Sequence, residues 1–400
     1  MKKIYTHYFS SYAGLPRAAW MLALVVLINR SGSMVLFFLS LYLTEELHYS
    51  VSDTGKLISL YGIGSLIGTY TGGWLSDLYG TKKIQLWSLL LSGLGFIILG
   101  NISRTLGIAI MLFILAITAE AFRPANSTAM AQVCSPEIRT RGFALIRLAV
   151  NMGFTIGPVA GGFLAHVNYR YIFWVDGLTC LVAAILFWII FYKGKVKTEP
   201  ALKTTSEWKR SPWADKTFLN ILSQSFIIGV VLLQIFNTWP LYLKQGYQLL
   251  EYQIGTVMAV NTLLIVLFEM PVIHKLEKSN PLKIMRVGTI FFFSGFALLQ
   301  FGNSYGYAIF TIIIWTIGEI LLFPLCASFI ANLAFTSNIG RYMGLYTFTF
   351  SLSFAVGPFF GSLTYEYISP SALWNIIGIL GIFVWIRFKL IEKRLKKEQS

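Results

Sequence analysis

Residues 106–132 read LGIAIMLFILAITAEAFRPANSTAMAQ. As a helix rising about 1.5 Å per residue, this stretch is long enough to cross a hydrocarbon layer about 30 Å thick. Its first charge, Glu120, stands near the middle, with Arg123 one turn later and Pro124 beside it. Residues 306–332 repeat the plan with Glu319 and Pro324. Matched apolar helices, each with an acid and a proline at corresponding depth, mark a duplicated membrane chain.

The rest of the 400 residues agrees: 56% are hydrophobic and 12% are charged, against roughly 25% charged in an ordinary soluble domain. Twelve spans are expected at 18–43, 53–77, 84–101, 106–132, 142–165, 171–192, 217–243, 253–275, 284–301, 307–334, 342–366 and 372–389. Each must be helical, because lipid offers no partner for backbone N–H and C=O groups and the alternation of a barrel is absent.

A shift of 200 residues superimposes the halves at separated landmarks. Leu41-Tyr42-Leu43 meets Leu241-Tyr242-Leu243, Gly55 meets Gly255, and Arg141 meets Arg341. Gly157-Pro158 with Gly161 meets Gly357-Pro358 with Gly361. The expected organisation is therefore a six-helix bundle at 1–192, a Lys-rich cytoplasmic linker at 193–216 and a second six-helix bundle at 217–400. Parallel repeats of this kind share one orientation about an axis along the membrane normal, with a substrate site between them.

A net charge of +15 suggests nucleic acid in a soluble protein, but here the positions of the 32 basic residues decide its meaning. Lys56, Arg104, Arg170 and Lys244 fall on one side and Arg30, Arg123 and Arg147 within spans; the others gather on the face that carries both termini. That is the positive-inside pattern, so both termini are expected in the cytoplasm and the chain in the plasma (inner) membrane. Cys134, Cys180 and Cys326 lack metal-ligand spacing and read as packing residues. No metal, cofactor or nucleic-acid partner is implied.

At the end of the second span stands Gly73-Trp74-Leu75-Ser76-Asp77-Leu78-Tyr79-Gly80-Thr81-Lys82-Lys83. Here Gly73 is expected to allow close helix contact, Gly80 to turn the chain, and Lys82 and Lys83 to hold the loop at the cytoplasmic face. The stretch resembles the signature between helices 2 and 3 of the major facilitator superfamily, and the resemblance implies that Asp77 latches the two halves in one conformation. Leu78 and Thr81 stand where that family usually has basic residues. In the fifth span, Gly153, Gly157, Pro158 and Gly161 are similar to the glycine-proline signature of the superfamily's antiporters. Small residues four apart allow close helix approach and a proline bends the helix, so simple packing and an export-type hinge both remain open. The arginine-glutamine-glycine signature of many drug antiporters is not spelled out in span 4. The resemblance to the twelve-helix drug:proton antiporter branch implies the all-α fold of two pseudo-symmetric six-helix bundles and a secondary transporter.

Ionisable residues at mid-membrane cost roughly 2.5–3.5 kcal/mol on insertion scales, so each should face a cavity or a partner. The acids Glu120, Glu319 and Glu269 are the proton-coupling candidates, since arginine does not deprotonate. Glu120 and Arg123 share a helical face and either neutralise each other or form a titrating switch. Arg30, Asn29, Arg147 and Asn151 add polar surface, and Asn237, Trp239, Asn261 and Trp315 join Arg123 as candidates to line a substrate cavity. Asp176, near the external start of span 6, reads as a cap or interfacial contact rather than a coupling site. The phosphate-binding G-x-x-x-x-G-K-[ST] pattern is absent, so an ion gradient or the substrate's own gradient is the expected energy source. The expected function is proton-coupled efflux of a small amphiphilic compound, by a functional monomer in contact with substrate, protons and lipid. A proton symporter importing a peptide, sugar or siderophore-like solute is the alternative. A lipid-modifying enzyme is disfavoured, because no reactive constellation of side chains is present.

Overall fold

The computed structural model describes residues 14–135, 138–193, 212–276, 279–333 and 339–399. Among them, every regular element is helical. In chain order these are α1 (Arg17–Ser31), α2 (Val35–Leu41), α3 (Val51–Tyr79), α4 (Thr81–Leu99), α5 (Thr105–Val133), α6 (Arg139–Val167) and α7 (Arg170–Trp188). They continue as α8 (Lys216–Leu232), α9 (Thr238–Gln245), α10 (Glu251–Leu276), α11 (Pro281–Ala297), α12 (Tyr305–Leu333), α13 (Ile339–Tyr367) and α14 (Pro370–Gln399). Most of the expected linker, 194–211, lies outside the described residues.

Eleven helical segments are long and apolar enough to cross a membrane, with α1 and α2 counted as one crossing. Helix α3 has the length for a twelfth, at 29 residues, but Gly55, Gly62, Gly64, Gly68, Gly72 and Gly73 and its hydroxyl side chains dilute its hydropathy. What the helices leave outside is oil-like. On α4, Trp87, Leu91, Leu94 and Ile98 are each at least half exposed or close to it and recur at helical spacing. Such a stripe is a liability in water and an ordinary surface in lipid.

The described residues fall into two compact units, one drawn from Met1–Val35 and Gly64–Lys203, the other from Leu36–Ile63 and Thr204–Ser400. The core of the first gathers Leu22, Val26, Leu89, Phe122, Leu145 and Phe187. One close seam lies between α3 and α5. A Cβ on Gly64, Gly68 or Gly72 would come within 2.7, 2.5 and 2.5 Å of Ala116, Ile117 and Ala121 respectively. With no net hydrophobic drive between helices in lipid, such backbone-to-backbone contact is a main source of cohesion.

The second unit takes in residues 36–63, so packing cuts the chain elsewhere than the repeat does. Within it the first half of α3 lies on α13. Gly55 meets Ser362, Gly62 meets the Phe354 backbone, and Tyr61 sits 5.7 Å from Phe354 between ring centroids. The Ser52 N–H donates to the Glu366 carboxylate at the N-terminal end of α3, a favourable place for negative charge.

The first span of each repeat is broken at its middle. Gly32–Met34 separates α1 from α2, and a tight turn at Leu233–Phe236 with Asn237 separates α8 from α9. Proline interrupts α5, α6, α10, α12 and α13 at Pro124, Pro158, Pro271, Pro324 and Pro358.

Candidate functional site

In the first unit Asn29, Arg30 and Asp176 gather at the break in its first span. Arg30 occupies the last turn of α1, where a cation opposes the partial negative charge of the helix end. Gly153 of α6 lies directly against it: a Cβ there would stand 2.5 Å from the Arg30 Cβ. Gly157, one turn on, faces the Ser31 carbonyl at 3.3 Å from its notional Cβ. The glycine-proline segment of α6 thus cradles the break, while Pro158 and Gly161 stay buried in the same helix. From the other side, Asp176 of α7 is 2% exposed and accepts the Val35 N–H at 3.1 Å. Asn29 donates to the Cys180 Sγ at 3.3 Å, which ties α1 to α7.

Glu120 is half-buried on α5 and Arg123 is exposed. Among the described residues no ion pair joins them, so mutual neutralisation is not the state observed. Asn126, on the same helix, is 3% exposed with its Oδ1 unpartnered. On α6 Arg147 is exposed and engaged, and Asn151 is half-buried.

In the second unit one acid is held in a built setting. Asn261 of α10 donates from Nδ2 at 2.9 Å to Glu319 Oε2 and at 2.9 Å to Thr316 Oγ1, both on α12. Thr316 in turn donates to the Ile312 carbonyl, which fixes its hydroxyl as an acceptor for Asn261. Asn261 is buried and Glu319 half-buried, so the carboxylate is oriented by an amide yet reachable. Glu269, at 6% exposure, lies two residues before Pro271 and is engaged with its surroundings.

Three cavity candidates turn out to be structural. Asn237 is fully buried and donates to the Pro358 carbonyl at 3.0 Å and to Ser362 Oγ at 2.6 Å. With Gln234, which donates to the Gly357 carbonyl at 2.9 Å, it fastens the α8–α9 break to the glycine-proline segment of α13. Trp239 is 1% exposed and packs on Phe37, 6.1 Å between ring centroids. Trp315 is fully buried, stacked 5.0 Å from Phe296 and edge-on to Phe292. Rings packed this tightly line no cavity. Helix α12 is apolar around most of its circumference, so residue type alone does not say which way the Trp315 ring points.

At the α3–α4 turn, Gly80 adopts φ +86°, a left-handed value that only glycine takes without strain. The expectation for Gly73 fails, since its notional Cβ would meet only Pro124, at 3.9 Å. Gly72 carries the close contact. Asp77 is exposed at the end of α3, Lys83 is exposed, and Lys82 reaches the Phe191 carbonyl at 3.4 Å. Sequence reasoning missed Gln234 and Thr316 and undervalued Asp176. An acid inside the run Trp174-Val175-Asp176-Gly177-Leu178 carried the same signal as Glu120.

The two repeats thus share a broken first helix packed on a glycine-proline helix, and the second adds a carboxylate oriented by an amide. The sequence profile of the Major Facilitator Superfamily matches residues 20–358. The chain belongs to the major facilitator superfamily. It is similar to the MFS-type transporter YttB of Bacillus subtilis, 26% identical, with 96% of this chain and 98% of that protein covered. It is 22% identical to the quinolone resistance protein NorA of Staphylococcus aureus, covering 94% of this chain and 97% of NorA. Among solved structures, a POT family transporter in complex with 5-aminolevulinic acid superposes with a TM-score of 0.79 at 17% identity, over 96% of this chain and 97% of that one. This superfamily member is therefore an integral-membrane, all-α transporter of small molecules and not an enzyme.

Proposed function

We propose that the chain is a proton-coupled exporter of small amphiphilic compounds that works by alternating access. The observation that carries the reading is the half-buried Glu319, aimed by Asn261 in the second unit. A carboxylate at bilayer depth is retained against a cost of roughly 2.5–3.5 kcal/mol, and proton relays are a main use of such acids. Glu120 in the first unit is its counterpart under the repeat, and Glu269 is the third candidate. Arg30, Arg123, Arg147 and Asn151 supply fixed charge and polarity toward the solute, and Asp77 with Gly80, Lys82 and Lys83 forms the cytoplasmic latch. The likeness to NorA, a quinolone resistance protein, favours export of amphiphilic solutes over import. The basic residues favour an inner-membrane placement with both termini and the 193–216 connector in the cytoplasm, and the protein acts as a monomer.

The test is flux in proteoliposomes under an imposed pH gradient, with a fluoroquinolone and a lipophilic cation as probes. Wild-type protein should move probe against the proton flow. Glu319→Gln should abolish gradient-driven movement and retain probe exchange without a gradient. Gradient-driven flux unchanged in both Glu319→Gln and Glu120→Gln overturns the coupling assignment. Co-movement of probe and protons points to the symporter instead.

A further inference from the structure

The break in the first span is held by an acid that the proposed function does not use. In an unbroken α-helix the Val35 N–H bonds the Ser31 carbonyl four residues back. Here that N–H is spent on Asp176 of α7 at 3.1 Å, while the Met34 N–H turns back to the Gly32 carbonyl. Gly32 makes this possible: a Cβ there would stand 2.9 Å from Asp176 Oδ1 and closer still to the Thr179 side chain. Asp176 is 2% exposed and contacts the middle of the first span.

The second repeat supplies an internal contrast. Its break is fastened by uncharged amides, Gln234 and Asn237, bonded to carbonyls of α13 and to Ser362. The residue matching Asp176 under the repeat is Ile376. One break therefore hangs on a group that can take up a proton, and its counterpart hangs on groups that cannot.

We propose that Asp176 is a proton-binding site that switches the first span between a broken and a continuous helix. As a carboxylate it draws the Val35 N–H through a charge-assisted hydrogen bond, roughly twice as strong as a neutral one. On taking up one proton it loses that advantage, the Val35 N–H returns to the Ser31 carbonyl, and the helix closes. The glycine face of α6 at Gly153 and Gly157 packs its backbone directly against Arg30 and Ser31, with no side chain between them. The groups facing the acid are few. Arg30 is the fixed cation from α1, and Cys180 with the Thr179 hydroxyl lies on its own helix. On α4 no titratable residue follows Lys83, and on α6 the nearest are Arg147 and His166, both beyond the glycine face. The inference rests on the proton-coupled reading and names a site within it.

Amide hydrogen exchange of the full chain in lipid nanodiscs, corrected for the intrinsic effect of pH, tests it. As pH falls through the titration of Asp176, exchange across residues 31–36 should change by roughly tenfold or more, the scale set by a hydrogen bond to a charged group. Exchange across 232–238 should not change. Asp176→Asn keeps the shape and an acceptor oxygen but takes up no proton, so it should abolish the pH dependence at 31–36. Persistence of that dependence in Asp176→Asn, or its absence from the wild type, overturns the proposal. Should Asp176→Asn fail to fold, Asp176→Glu carries the test: the midpoint must move, and an unmoved midpoint overturns it. Fluoroquinolone flux separates this site from the broader reading. Exchange that Asp176→Asn makes pH-independent, in a protein whose flux ignores the gradient, upholds the site and removes proton coupling. Gradient-driven flux with exchange still pH-dependent in Asp176→Asn does the reverse.

Discussion

Replacing Asn237 by alanine is the sharpest probe of how the broken helices are fastened. The side chain is fully buried and makes two hydrogen bonds, to the Pro358 carbonyl and Ser362 Oγ. Hydrogen bonds between membrane helices are worth about 0.6 kcal/mol on average and up to about 1.7 kcal/mol. Losing both therefore costs roughly 1–3 kcal/mol, which multiplies the opened population of the second unit by about five to a hundred, at about 1.4 kcal/mol per tenfold. The protein carries its own reporter, because Cys134, Cys180 and Cys326 are free and buried. With Cys134 and Cys180 changed to alanine, a thiol-reactive dye reads the opening around Cys326 on α12 as a labelling rate. Asn237→Ala should accelerate labelling by that factor, and Asn237→Asp should do so more strongly, since a carboxylate facing the Pro358 carbonyl repels it. Labelling of Asn237→Ala within twofold of the parent would show that the break is held by packing alone.

Adjacent glycines on α3 should behave oppositely. Gly72→Leu drives its side chain into the Ala121 backbone, 2.5 Å from the notional Cβ, and should cost the yield of folded protein in membranes, whereas Gly73→Ala, with 3.9 Å of clearance from Pro124, should match wild type. Gly80→Ala meets open space but a φ of +86°, so strain of about 1–2 kcal/mol should appear as a lower thermal midpoint with the fold retained. Asn261→Leu should leave thiol labelling of Cys326 nearly unchanged yet reduce gradient-driven flux at least tenfold, by freeing the Glu319 carboxylate to turn away; undiminished flux would remove Asn261 from the site.

Much of this was readable in the residues. Apolar runs of the right length gave the crossings, and the 200-residue offset gave the duplication. Glycine before a lysine pair gave the strained turn at Gly80. Glu319 stood out because lipid penalises any charge. What stayed hidden was direction. Gly72 and Gly73 differ by 100° around the helix, and nothing local says which faces α5. Trp315 sits on a helix apolar nearly all round, where periodicity is silent, and Trp239 on a helix of eight residues, too short for periodicity to decide. Asp176 reads as a cap or interfacial contact, and it accepts the first N–H of α2, a helix that its own neighbours in sequence do not reveal. The breaks left only slight local marks, Gly32 in one repeat and Pro240 just after Asn237 in the other, since they are fastened by side chains far along the chain.

The rings around Trp315 bear on where motion can occur. Phe296 lies between Trp315 and Trp374, stacked with both at 5.0 and 6.5 Å, and thereby rivets α11, α12 and α14 together. A ring in so dense a setting turns only if its neighbours vacate space first. Those three helices must then travel as a single slab during transport, leaving deformation to the interrupted spans. Tryptophan emission from the pair, shielded from aqueous quenchers, should stay constant through the cycle and serve as a fixed optical landmark.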